Sequence, residues 1–188
     1  MKRLAPLSPR LRFAVLAALA ALPGVARPAP YIPSTPDLGK AEGRCRADEQ
    51  GPALLVNVLG LKDRHGLLKA EVYPPSDDDF LKDDNLLVAA GKTFRRVEEA
   101  TPASGPAVLC VRVPGPGAYA LTVLHDRDSN HKVGISIDGF GVPQAQHFHY
   151  RKPRASEARV VAGPGLTRVN VTLVYKSGLF TFDPIGGR

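Results

Sequence analysis

Tryptophan is absent from this sequence, methionine occurs once, and aromatic residues make up only 6%. No G-x-S-x-G stretch is present, so the strand-to-helix elbow that exposes a hydrolase serine is missing. No Gly-rich loop stands between a strand and a helix, which removes the usual phosphate cradle. There is no internal repeat and no long amphipathic helix, so solenoids and helical bundles are excluded. The apolar run Phe13–Leu22 is too short to span a bilayer, and no Cys follows it closely enough for a lipid anchor.

What is present points to an exported β protein. The 188 residues suffice for one domain with a real core, and 44% of them are hydrophobic. Eighteen Gly and eighteen Pro suit short strands joined by turns. Lys2, Arg3, Arg10 and Arg12 precede the apolar run, and Gly24 and Ala26 are small residues at the −3 and −1 positions. That order reads as a signal peptide over residues 1–26, cleaved after Ala26, with delivery to the periplasm or the exterior. Four of the 25 Lys and Arg residues lie before Arg27 and none of the 18 Asp and Glu residues do, leaving a mature charge of +3. A charge that small gives no footprint for nucleic acid. No membrane span is expected in the mature chain. Two cysteines, Cys45 and Cys110, in an exported chain predict one disulfide.

Residues 27–52 are rich in Pro, Gly and charge and read as an extended N-terminal arm tethered by Cys45. The regular domain spans 53–175. Ala53–Leu61 reads as a strand, Lys62–Gly66 as a turn, and Leu67–Tyr73 as the returning strand of a hairpin. Ser76 and the acids after it predict a short helix over Asp77–Asp83. Lys92–Val97 and Ala107–Val113 read as further strands. Leu109, Val111 and Val113 share the inner face of the second, which places Cys110 outward, within reach of the arm. Ala118–Leu124 is apolar on both faces, as expected in mid-sheet. Glu157–Val161 and Thr167–Tyr175 complete about seven strands, the last carrying Val169, Val171, Leu173 and Tyr175 on one face. The tail 176–188 is Gly-rich and reads as loosely held. The fold class is all-β, an antiparallel β-sandwich.

The order Pro114-Gly115-Pro116-Gly117-Ala118-Tyr119-Ala120, His125-Asp126, Gly134-Ile135, Gly139-Phe140-Gly141 resembles a family of exported bacterial proteins numbered 2141 among the domains of unknown function. The match runs from about Ala53 to Tyr175. Arg127, Asp128, His131, Ser136, Asp138 and Pro143 depart from the family pattern, which has Gly where His131 stands. The resemblance implies an immunoglobulin-like or transthyretin-like sandwich, and it implies no activity.

Chemistry concentrates in the polar loop after the central strand. Asp126, Asp128 and Asn130 alternate as the first ligands of a calcium loop do, but the sixth position is His131 and the twelfth is Ile137, with Asp138 one residue later. The preferred reading is therefore a polar turn in which these side chains accept backbone amides. His125 adjoins Asp126, but strand neighbours point to opposite faces and make no dyad. His147 and His149, two apart on extended chain, suit zinc or copper, although no Cys or carboxylate partner is evident. The reading that results is a non-enzymatic binding or envelope-structural module with no catalytic residues and no cofactor. Its partner would be an envelope protein or a small ligand. The alternative is a calcium-like site in the loop His125, Asp126, Asp128, Asn130, Asp138.

Overall fold

Residues 31–186 are described by the structure, a computed structural model; the signal peptide read at residues 1–26 lies outside them. In chain order they form α1 (Lys40–Gly43), β1 (Ala53–Leu59), β2 (Leu67–Tyr73), α2 (Asp84–Ala89), β3 (Arg95–Ala100), β4 (Ala107–Arg112) and β5 (Gly117–Asp126). Six further strands follow: β6 (Gly139–Gly141), β7 (Phe148–His149), β8 (Arg159–Ala162), β9 (Leu166–Thr172), β10 (Val174–Lys176) and β11 (Thr181–Pro184). No helix among the described residues is long and apolar enough to cross a membrane.

Two sheets face each other. The smaller has the order β4-β1-β9; the larger runs β3-β2-β5-β6-β10-β11-β7, with β8 also paired to β5. Alternation fixes what lies between them. Leu54, Val56 and Val58 of β1 stand in register with Val111, Leu109 and Ala107 of β4. Ala70 and Val72 of β2 stand in register with Val123 and Leu121 of β5. All of these side chains are buried in one central cluster, and burial of this kind supplies most of the folding drive. A second cluster, with Tyr73, Phe94, Phe148 and Phe182, covers the outer face of the larger sheet. Both faces of β5 are therefore buried, as its composition predicts. The all-β sandwich stands.

Four expectations need correction. First, β1 and β2 do not form a hairpin. β1 joins β4 and, in parallel, β9, whereas β2 joins β3 and β5 in the other sheet. The segment between them crosses from sheet to sheet, ending at Gly66, whose φ of 74° is left-handed and suits glycine. Second, Thr167–Tyr175 is two strands. The chain turns a corner at Leu173, whose N–H donates to the Leu59 carbonyl at 2.9 Å, and continues as β10 in the larger sheet. Val171, Leu173 and Tyr175 all line the central cluster, so the period of two passes through the corner unbroken. Third, the helix begins at Asp84. Ser76–Phe80 is a turn closed by Phe80 N–H on the Ser76 carbonyl at 2.8 Å, and Leu81 at φ 59° ends it. Phe80 is anchored there edge-on to Tyr73, with ring centres 5.6 Å apart. Fourth, the tail is held: β11 pairs with β10 and β7, because Phe182 packs against Phe140 at 5.4 Å.

The arm is also more regular than its composition suggests. Gly39 and Gly43 bring α1 against β3, close enough that a Cβ on Gly43 would lie 2.6 Å from the Arg96 carbonyl oxygen. Arg44 then bridges Val111 at the edge of β4. Next to it Cys45 and Cys110 are joined in a disulfide, with Cα atoms 5.8 Å apart, as the sequence predicts.

Candidate functional site

β5 delivers His125 and Asp126 to opposite faces. His125 is fully buried on the inner side. Its Nδ1 lies 2.7 Å from the Tyr175 hydroxyl and its Nε2 lies 2.8 Å from the His65 carbonyl oxygen. A carbonyl only accepts, so Nε2 carries the proton and Tyr175 donates to Nδ1. The Tyr175 oxygen in turn accepts the Lys62 N–H at 3.1 Å. Burial pushes His125 down, which keeps it neutral, and pushes Tyr175 up to about 12. Both ring nitrogens are committed to the fold.

Asp126 points the other way and is also fully buried. It accepts the N–H groups of Asn130 at 3.2 Å and His131 at 2.8 Å. Asp138 mirrors it, accepting Arg127 N–H at 2.9 Å and Gly134 N–H at 2.6 Å. Asp128 holds Asn130, whose own side-chain oxygen accepts Lys132 N–H at 2.7 Å. Arg127 reaches back to Asp63, pairing through Nε at 2.8 Å; that guanidinium holds Asp63 below its ordinary range. Burial pushes the Asp126 carboxyl up, opposed by the amide it accepts from His131.

Asp126, Asp128 and Asp138 thus converge, with one carboxylate oxygen from each within 4.8 Å of the others. No other group of three ligand-capable side chains converges in this way among the described residues. His147 pairs instead with Asp183 at 2.9 Å, and His149 sits exposed opposite Thr181. His131 adopts φ 62°, the left-handed region that a glycine there would enter without strain.

Above the outer face of the larger sheet lies a cleft of about 560 Å³. Its floor is Lys69, Glu71 and Tyr73 of β2, Thr122 and Leu124 of β5, and Phe140 and Phe182. One wall is the loop just described, through Val133 and Ile135; the other is the segment Tyr150–Pro153. Val133, Ile135 and Tyr150 are 64%, 44% and 63% exposed, so apolar surface is left at the mouth. Glu71 on the floor pairs with Arg96 Nε at 2.7 Å and accepts the Tyr73 hydroxyl at 2.7 Å, and Arg96 also pairs with Asp84 at 2.9 Å. Sequence reading missed this cleft. Lys69, Glu71 and Tyr73 alternate with Leu68, Ala70 and Val72 as any solvent face would. The available signal was Val133, Ile135 and Ile137, β-branched residues inside a polar loop.

The far wall is braced by one ion pair. Arg151 donates to Glu157 through Nη1 at 2.8 Å and Nη2 at 2.6 Å. The Arg151 guanidinium brings Glu157 from 4.5 down to about 2. A depressed folded-state pKa means that the pair stabilises fully above pH 4.5 and loses its effect as pH falls towards 2. Both side chains are partly exposed, so solvent screens the pair and its effect on stability is small. We expect Arg151→Ala to move the Glu157 carboxyl titration, followed by carbon NMR, up towards the ordinary range, the Arg154 N–H at 2.8 Å still holding it somewhat low, with little change in melting. A Glu157 titration unmoved by the substitution would count against this cause.

A family model described as "Uncharacterized protein conserved in bacteria (DUF2141)" matches residues 56–170, more than half of the chain. No curated protein and no solved structure matches.

Proposed function

The chain belongs to the bacterial DUF2141 family, and from that footing we propose that it is a non-enzymatic binding module of the cell envelope, holding a small apolar ligand in the cleft over its larger sheet. The cleft carries this reading. Its volume of about 560 Å³ falls in the range of small-molecule sites, and its walls are mostly apolar with a few convergent polar groups. The charge, apolar and small-residue order before Arg27 supports export, as does the Cys45–Cys110 bridge. The sandwich, with β11 included, is the working unit, and the described part of the arm, residues 31–52, is strapped to it. A non-enzymatic role is supported by the commitments of the polar residues: His125 spends both nitrogens on the fold, and both cysteines are oxidised.

The test uses N-phenyl-1-naphthylamine, a neutral apolar dye that brightens on leaving water. Saturable one-to-one binding is expected. Ile135→Asp at the exposed rim should abolish it without altering the melt. No saturation, or binding indifferent to Ile135→Asp, would sink the reading.

The second reading is a calcium-like site at Asp126, Asp128 and Asp138, favoured by their convergence within 4.8 Å. Against it stand the four backbone amides that Asp126 and Asp138 already accept, which account for the clustering without a cation.

A further inference from the structure

We propose that the ligand of this cleft is an amphipathic carboxylate, an apolar body ending in one anionic head, and that Lys69 receives the head. The inference rests on the cleft being a ligand site and names the class of ligand. Lys69 is 8% exposed, an unusual burial for an ammonium. Such a group normally carries close acceptors for its three N–H donors. Here Nζ makes no hydrogen bond among the described residues, and its one ionic neighbour is Glu71 at 3.7 Å, beyond hydrogen-bond reach. Glu71 is meanwhile occupied by Arg96 and Tyr73.

Lys69 therefore faces open space with unused donors. It lines the apolar cleft and also a neighbouring cavity of about 260 Å³. No sealed side-chain polar atom among the described residues lacks a partner, so the Lys69 ammonium remains reachable from the cavities. Of the other charges on the cleft, Arg151 is paired with Glu157, and Asp138 keeps its charge while both its oxygens are taken up by backbone amides. Lys152 at the mouth adds a further positive charge. An incoming carboxylate would supply the charge-assisted hydrogen bonds that Lys69 lacks. Leu124, Phe140 and Phe182 would cover its apolar body. A cationic head would meet Lys69 and Lys152 and be refused.

Decanoate, decanol and decyltrimethylammonium, equal in chain length, separate the possibilities by displacement of N-phenyl-1-naphthylamine. Wild type should bind decanoate about tenfold more tightly than decanol, the worth of one hydrogen bond to a charged group, and the cation least. Lys69→Met keeps length and apolar bulk while removing the charge; it should bring decanoate and decanol level. Lys69→Arg should keep the preference. The wild-type comparison needs no variant, so a Lys69→Met that fails to fold leaves the test intact. Equal binding of all three probes overturns the anionic head but leaves the apolar cleft standing. Displacement by none of them, with the dye itself unbound, overturns both.

Discussion

Replacing Cys45 and Cys110 together with serine is expected to lower folding stability by about 4 kcal/mol. The bridge spans 65 residues of sequence, and on the chain-entropy account a loop of that size removes this much freedom from the unfolded chain. Domains of this kind are stable by only about 5–15 kcal/mol, so the loss is a large fraction of the total. The native side shows no offsetting slack. The arm that carries Cys45 is docked on both sides of the bridge: Arg96 Nη1 donates to the Thr35 carbonyl at 2.9 Å, Lys40 meets Glu98 at 3.0 Å, and Arg112 meets Glu49 at 3.2 Å. Urea unfolding of oxidised wild type, reduced wild type and the double variant measures it. Reduced protein and the variant should fall together, well below the oxidised form. A double variant within 1 kcal/mol of wild type would contradict the entropy account.

Asp126→Ala should cost about 1 to 3 kcal/mol, the usual penalty for stranding buried donors. The substitution removes the acceptor for the Asn130 and His131 amides and frees a loop whose backbone is held left-handed at Ser129 and His131. The pH dependence has a definite sign. Burial raises the Asp126 pKa, so the folded chain binds that proton more readily than the unfolded one. Its own contribution is thus greatest at low pH and declines as pH rises through the raised value. The alanine variant should lose that component. Melts of wild type and Asp126→Ala, each with calcium and with a chelator, separate turn from cation site. A wild type indifferent to chelator, with the variant destabilised, is the expected pattern. A chelator-sensitive wild type beside an insensitive variant would favour the metal, and a variant melting like wild type would contradict both.

These residues also mark the limit of what a sequence reading reaches. Alternation says which side chains turn inward, and it did so correctly for Leu109, Val111 and Val113 and for Val169 to Tyr175. It is silent on which sheet a strand joins, because both sheets line the same core. Leu54, Val56 and Val58 carry the same pattern as Leu68, Ala70 and Val72 yet face them from the opposite layer. The hairpin between β1 and β2 and the unbroken last strand were errors of one kind. At the loop, residue type pointed to Asp126, Asp128 and Asp138, and they do converge. Residue type also favours a turn held through backbone amides, and the structure has it; which carboxylate meets which N–H is not legible, because chain direction at Ser129 and His131 decides it. Lys69 could not be read at all: its burial comes from loops far away in sequence.

The parallel pairing of β1 with β9 has a kinetic consequence. Strand 53–59 has its permanent neighbour at 166–172, on the far side of nearly every other element. Until the last strands arrive, β1 has one flank open and the smaller sheet cannot close. Contacts of such long range slow folding, because the entropy of closing the loop is spent before any contact repays it. Any molecule caught before that step exposes a bare apolar edge, the feature through which strands from different molecules pair. The chain's yield on refolding should fall with protein concentration long before its final stability does.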